Sequence, residues 1–214
     1  MLEKFFYYAI TFAEAGFSVF GLSGVYEQPP YTVREDLGEG LEIRDYGPRV
    51  AVEATVAAPD DRAAAGAAFN LLFAYITGAN EGSRLVAMTA PVRQAATPAL
   101  IAMTAPVQTD SRADADGKVI AMRFFLPSAV AESPPRPLDP RVRIVTAPPA
   151  TTAALRFSGA FDDAARMLRE RELLDRLAGT KWRTTGKPYV FAYDPPFTIP
   201  FLRRNEIAID VNDR

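Results

Sequence analysis

The chain of 214 residues contains no cysteine and no histidine. Without cysteine there is no disulfide, no iron–sulfur ligation and no thiol nucleophile. Without histidine there is no Ser-His triad and no imidazole to ligate a metal. Most hydrolase and metalloenzyme arrangements are excluded by these two absences. The missing cysteine leaves the compartment open, because disulfide-free proteins occur on both sides of a membrane. A basic excess is also lacking: 24 Lys+Arg stand against 26 Asp+Glu, a formal net charge of −2. That balance argues against tracking a phosphate backbone, and nucleic acid is not an expected partner.

What is present is ordinary globular composition, 49% hydrophobic and 23% charged, enough to bury a sizeable core. The long apolar run lies at the start, from Phe5 to Leu22, interrupted by Glu14. It falls just short of the roughly 20 residues a membrane span needs, and its central carboxylate makes insertion costly. Three readings stay open. Ala13-Glu14-Ala15 has the small-x-small form of a signal cleavage site; an uncleaved helix could sit in or on a membrane or pack on a membrane-protein partner; or the helix could fold back on its own domain. The working expectation is that residues 1–25 are an N-terminal helix that makes the protein membrane-associated, on a side the sequence does not fix. Tyr26-Glu27-Gln28-Pro29-Pro30 is a stiff connector, and residues 26–214 form the domain.

From Tyr31 the pattern turns strand-like. YTVRED, a turn at Gly38-Glu39-Gly40, LEIRDY, a turn at Gly47-Pro48 and RVAVEATV read as an antiparallel meander with one wet face. Asp60-Asp61 then opens an Ala-rich helix, apolar nearly all round, that stops at Gly78; such a helix should be covered by sheet on one side and by something else on the other. Next, MTAPV occurs twice, at Met88–Val92 and Met103–Val107. These read as two β-type runs ending in Ala-Pro at a sheet rim, joined by a turn around Ala96-Thr97-Pro98. Asp110–Lys118 reads as a polar loop, Val119–Leu126 as a strand and Ser133–Pro140 as a Pro-rich linker. Strands at Val142–Val145 and Thr152–Phe157, a helix opened by Phe161-Asp162-Asp163 and ended by Gly179, and strands at Tyr189–Tyr193 and Glu206–Val211 complete the chain. The second half thus repeats the first in outline. The fold expected is α+β: a pseudo-two-fold antiparallel β-barrel or sheet made of two β-helix-β repeats, flanked by two helices, plus the N-terminal helix.

Asp194–Arg204, DPPFTIPFLRR, is the stretch hardest to explain as plain structure. Three prolines stiffen it, while Phe197, Ile199, Phe201 and Leu202 are bulky and apolar where a surface loop is normally polar. Rigid apolar walls beside Arg203-Arg204 suit a flat, greasy ligand that carries carboxylates, since guanidinium grips a carboxylate in a fork. The competing reading folds the loop onto the domain's own core, with Arg204 paired to Glu206.

Several ordered motifs converge on one family. Ile43-Arg44-Asp45-Tyr46, Tyr75 to Asn80 before MTAPV, and Tyr193-Asp194-Pro195-Pro196 followed by Arg203-Arg204-Asn205-Glu206 resemble the SOUL haem-binding family, from about Tyr26 to Val211. The resemblance implies a distorted antiparallel barrel with two helices. It also implies a hydrophobic cleft between the first helix and the Asp-Pro-Pro loop, with basic side chains toward the haem propionates. Carried over, the cleft residues are Phe69, Phe73 and Ala74 on the helix and Phe197, Phe201, Arg203 and Arg204 on the loop. Thr198 stands where some relatives have lysine. One branch of the family uses a histidine axial ligand, which this chain cannot supply; Tyr or a methionine (Met88, Met103, Met122) are the remaining side chains for iron.

The function expected is non-covalent binding of haem or another porphyrin, as carrier or buffer rather than enzyme. One alternative is an accessory subunit of a membrane complex, using the N-terminal helix and the Phe197–Leu202 loop for protein contacts. Another is an enzyme on a small hydrophobic substrate, with Glu42, Glu53 or Tyr75 as acid or base.

Overall fold

The computed structural model describes residues 27–81, 101, 104–114, 117–159, 162–194 and 198–213. The apolar run Phe5–Leu22, the first MTAPV copy, the turn around Thr97, the methionines Met88 and Met103, and Phe197 lie outside them.

Strands β1 (Tyr31–Asp36), β2 (Leu41–Tyr46) and β3 (Arg49–Ala58) are followed by helix α1 (Asp61–Ile76) and a short β4 (Asn80–Glu81). Then come β5 (Val107–Asp114), β6 (Gly117–Phe125), a single-turn α2 (Ser128–Ala131), a short β7 (Arg136–Pro137), β8 (Val142–Ala147) and β9 (Ala150–Phe157). Helix α3 (Asp163–Ala178), β10 (Trp182–Ala192), a 3-10 turn (Pro200–Leu202) and β11 (Asn205–Asp213) close the chain. Both long helices start by the same device. Asp60 and Asp162 sit in extended backbone as N-caps, and each carboxylate accepts the backbone N–H three residues on, Ala63 and Ala165, at 2.8 Å. Such a cap contributes about 1 kcal/mol.

Nine strands form one antiparallel sheet in the order β1-β2-β9-β11-β10-β5-β6-β3-β8, and β4 pairs with β7 beside it. About the central β5–β10 pair this order is a palindrome: β6 matches β11, β3 matches β9, and β8 matches β2. The two expected repeats are therefore present, one helix on each, but their first strands are exchanged. β2 pairs not with β3, its neighbour in sequence, but with β9; β8 in turn pairs with β3. The expected meander is corrected accordingly, since only β1 and β2 form a hairpin. Gly47-Pro48 carries the chain from second to eighth place in the sheet, which a two-residue connection can do only if the sheet is strongly curled. The outermost strands β1 and β8 are not paired to each other, so the barrel implied by the resemblance is an open curled sheet.

Three further expectations change. β3 has no wet face over Ala51–Ala54, because Val52 and Ala54 pack under α1 while Ala51 packs on the opposite side. The stretch 110–118 is not a loop: β5 runs to Asp114 and β6 starts at Gly117, their polar side chains notwithstanding. In the second MTAPV copy the strand begins at Val107, after the proline, rather than ending at it.

Alternation along the strands divides the core. Val52, Ile120, Met122 and Phe124 pack against Leu72 and Tyr75 of α1, and Ile43, Leu155, Trp182 and Ile207 pack against Leu173 and Leu177 of α3. The intervening residues Ala51, Phe125, Ala154, Tyr189, Phe191 and Ala208 line the other face, as a period of two requires.

Candidate functional site

Helix α1 presents its second half to one end of the sheet. Phe69 and Phe73, one turn apart, stack with ring centroids 5.9 Å apart and planes 11° apart, and Phe69 meets Phe124 of β6 edge-on at 5.5 Å. Phe73 remains 38% exposed, and Ala74 beside it is exposed. The inward side of this turn is fixed: Tyr75 donates to the Pro135 carbonyl at 2.8 Å, its carbonyl accepts the Asn80 side-chain amide at 2.7 Å, and burial pushes its phenol up to about 12. Across the sheet, Phe124 pairs with Val107, Val107 with Ala192 and Ala192 with Asn205. The loop between β10 and β11 therefore springs from the same end of the sheet as the Phe69–Phe73 stack.

That loop is held at its base and bare at its tip. Thr198 is buried and its carbonyl accepts from Arg203 Nε at 2.8 Å. The Pro200 carbonyl accepts the Gly159 N–H at 3.0 Å. Between these anchors Phe201 is 72% and Leu202 37% exposed. Phe73 and Phe201 are the exposed phenylalanines among the described residues.

The two arginines behave differently. Arg204 turns inward: Nη2 and Nε donate to Glu206 Oε1 at 2.7 and 3.2 Å, its backbone N–H donates to Asp194 Oδ2 at 2.6 Å, and the guanidinium lies 3.8 Å from the Tyr193 ring centre. Glu206 is fully buried and also receives Arg44 Nη1 at 2.6 Å, Arg44 Nη2 at 3.1 Å and the Tyr193 hydroxyl at 2.8 Å. Burial alone would raise this carboxyl, but hydrogen bonds and charge from Arg44 and Arg204 hold it below its ordinary value. Burial, then the Glu206 charge, push the Tyr193 phenol far up. One Glu between two guanidiniums and a phenol is a closed arrangement, so Arg204 pairs with Glu206 while Phe201 does not fold onto the core. Each competing reading of the loop describes a different part of it.

Arg44 was missed by sequence reasoning as a buried group, although a signal exists. Glu42, Arg44 and Tyr46 share one phase of β2 while Leu41 and Ile43 fill the other, which marks a second face that is polar and enclosed.

A larger cavity, about 810 Å³, lies between the first turns of α1 and α3, with Thr109, Ile120 and Val190 at its floor. The volume suits a cofactor. Its walls do not suit a dicarboxylate, since Asp60, Asp61, Asp162 and Asp163 outnumber Arg62 and Arg166 there. The side chains considered for acid–base work are scattered. Glu42 is bound by Arg44, Glu53 by Arg123 and Arg143, and Tyr75 belongs to α1 on the opposite side of the sheet. Among the described residues no group of three His, Cys, Asp or Glu could hold a metal ion.

A model of the family described as SOUL heme-binding protein matches residues 26–210. Heme-binding protein 2 of Homo sapiens is 30% identical over 188 residues, covering 84% of this chain and 82% of that protein. Heme-binding protein 2 of Mus musculus is 29% identical over 190 residues, 85% of this chain and 84% of its own. Among solved structures, the EcmrR C-terminal domain superposes with a TM-score of 0.57 at 11% identity, covering 86% of this chain and 99% of that one. A hydrolase from Listeria innocua gives 0.52 at 14% identity, covering 81% and 92%. At such identities the structural likeness concerns the fold alone.

Proposed function

From the premise that this chain belongs to the SOUL heme-binding protein family, we propose that it binds haem or another tetrapyrrole non-covalently, as a carrier or buffer rather than an enzyme. The observation that carries this reading is the pair of exposed phenylalanines, Phe73 on α1 and Phe201 on the β10–β11 loop, at one end of the sheet. Bare aromatic rings on a soluble surface favour a flat apolar ligand that covers them. Phe69, Phe73 and Ala74 are assigned to one wall and Phe201 to the other; Phe197, outside the described residues, joins Phe201 by the family resemblance alone. Arg203, half-buried at the loop's base, meets a propionate. Arg204 acts one step removed, since with Glu206 and Tyr193 it fixes the direction in which the loop enters β11.

The residues fit the group in its apolar and anionic parts and differ in the iron's ligand. With no histidine in the chain, ferric haem is expected to show a tyrosinate-ligated, water-ligated or five-coordinate spectrum, and metal-free porphyrin should bind comparably. Removing the Phe201 ring forfeits roughly 1.5–3 kcal/mol of apolar burial, tenfold or more in affinity. Its exposure means the thermal midpoint should not move. Hemin titration by Soret absorbance on wild type and Phe201→Ala, with melting curves on both, tests this. Absence of saturable binding to the wild type, or a variant with unchanged affinity, rejects the site.

Association with a membrane or membrane-protein partner through residues 1–25 belongs to the same proposal. Among the described residues no helix is long and apolar enough to cross a membrane, so attachment would rest on that segment. Deleting residues 1–25 should move the protein from the membrane to the soluble fraction; equal partitioning of both forms discards the idea.

A further inference from the structure

The face of the sheet opposite the helices carries a second buried cation with a different status from Arg44. Arg49, the first residue of β3, is 9% exposed. Its guanidinium carbon lies 4.3 Å from the centre of the Tyr46 ring and 5.2 Å from that of Phe125. Aromatic faces attract a cation but accept few of its hydrogen bonds. Nε and Nη1 are buried without any hydrogen-bond partner among the described residues. Arg44, more deeply buried still, donates to Glu206 and Glu42. A buried guanidinium with two N–H groups left without an acceptor is one of the costlier arrangements a protein can hold, and native structures rarely keep one.

The neighbourhood shows why no side chain supplies the acceptor. Arg49 borders a cavity of about 190 Å³ that it shares with Gln108, Arg123, Tyr189, Glu53 and Asp210. Both carboxylates there are already engaged. Glu53 receives Arg123 Nε at 2.8 Å and Arg143 Nη2 at 2.7 Å. Asp210 Oδ1 accepts the Tyr189 hydroxyl at 2.7 Å and the Thr152 hydroxyl at 2.9 Å. The cavity holds the volume of about six waters, enough for a small anion and too little for a nucleotide or porphyrin.

We infer that this cavity is a binding site for a small oxyanion, a simple carboxylate or inorganic phosphate, received by the Arg49 guanidinium. The inference is independent of haem binding, which concerns the other face of the sheet and the exposed tip of the β10–β11 loop. Charge-assisted bonds from the Nε and Nη1 donors supply the attraction, and the Tyr46 and Phe125 rings keep the fork in place. Cavity size restricts the occupant to a few heavy atoms.

The test uses the full chain without haem. Thermal midpoints are recorded against rising sodium phosphate and, separately, sodium acetate, with sodium chloride at matched ionic strength as reference. A saturating, anion-specific rise is expected, roughly 3–6 °C at ten times the dissociation constant, and the anion with the stronger effect identifies the class. Phosphate also stabilises proteins by exclusion from their surface, so the same series is run on Arg49→Met, where the saturating rise should vanish. Equal midpoints in all three salts overturn the inference, as does an undiminished rise in Arg49→Met. Should that variant not fold, titration calorimetry of the wild type at 25 °C decides, since absence of binding heat with both anions also overturns it.

Discussion

The two halves of this sheet share a plan and differ in what they put outside it. Both open their helix with a capping aspartate, both lay a fully buried leucine on the sheet (Leu72 in α1, Leu173 in α3), and both exchange a first strand. On α1 the uncovered side is Arg62, Ala63, Gly66, Ala67, Asn70, Phe73 and Ala74, without a charge after the first turn. On α3 it mixes exposed Met167, Leu168 and Leu174 with charges tied into pairs such as Arg169–Glu172 at 2.5 Å and Arg171–Asp175 at 3.5 Å. The connections differ in the complementary sense. Only residues 115 and 116 separate β5 from β6, whereas residues 193–204 separate β10 from β11. By the palindrome, the long loop of the second half stands at the end of the sheet served by the helix of the first. Its symmetry mate would be a loop beside α3, and there the connection is too short. A duplicated scaffold offers two equivalent places for a long loop beside a helix, and the proposed ligand site uses the one where that loop is present.

The largest effect expected on this comparison comes from Glu206, which anchors the developed loop. Glu206→Gln leaves Arg44 and Arg204 buried against a neutral amide and should cost about 3–5 kcal/mol in denaturant unfolding. Its pH signature follows from sign: the folded carboxyl titrates below its unfolded value, so its stabilisation is complete above the unfolded value of about 4.3 and is lost as pH falls through the folded one. The Gln variant should lose that part of the acid slope.

Next in size, Leu72→Ala and Leu173→Ala should each cost about 2–5 kcal/mol. Similar losses from the two would show that the halves share the load; a loss confined to one would break the comparison at its root. Smaller again, Phe73→Ala should weaken hemin binding about tenfold with little change of midpoint, whereas Leu168→Ala, 63% exposed on α3, should leave affinity unchanged. Equal effects on affinity would place the ligand between the helices. The smallest effect is that of Arg171→Ala, whose exposed pair with Asp175 is worth no more than about 0.5 kcal/mol.

Much of this was legible in residue order. Acid pairs at 60–61 and 162–163 located both helix starts to the residue, because an N-cap is a local device. The strands of the second half were placed correctly at their cores and drawn too short at their ends: Thr184 and Thr185 look like loop, yet they pair with Val211 and Asp210. Strand exchange was not legible. Alternation says which face a residue takes but not which strand it pairs with, and LEIRDY would serve equally beside β3. In the Asp-Pro-Pro loop, Arg203 and Arg204 look alike as letters. Phase separates them: Arg204 shares the inward side with Glu206, two residues on, and so its partner is internal. Arg49 carried no signal of burial, since an arginine at the head of a strand next to a Gly-Pro turn reads as solvated.

The exchange of β2 and β8 has a consequence for how such a chain can be divided. A polypeptide carrying one half alone, β8 to β11 for instance, would have β9 without β2 and β8 without β3, leaving two exposed edges with hydrophobic side chains. Two copies of that half could satisfy each other by the same swap, so a single repeat would be stable as an intertwined dimer rather than as a monomer. Within the full chain the same geometry makes assembly late and cooperative: Leu41 can pair with Leu155 only after nearly all the intervening residues have been synthesised. High sequence separation of this kind slows folding, and it leaves neither half able to open without uncovering an edge of the other.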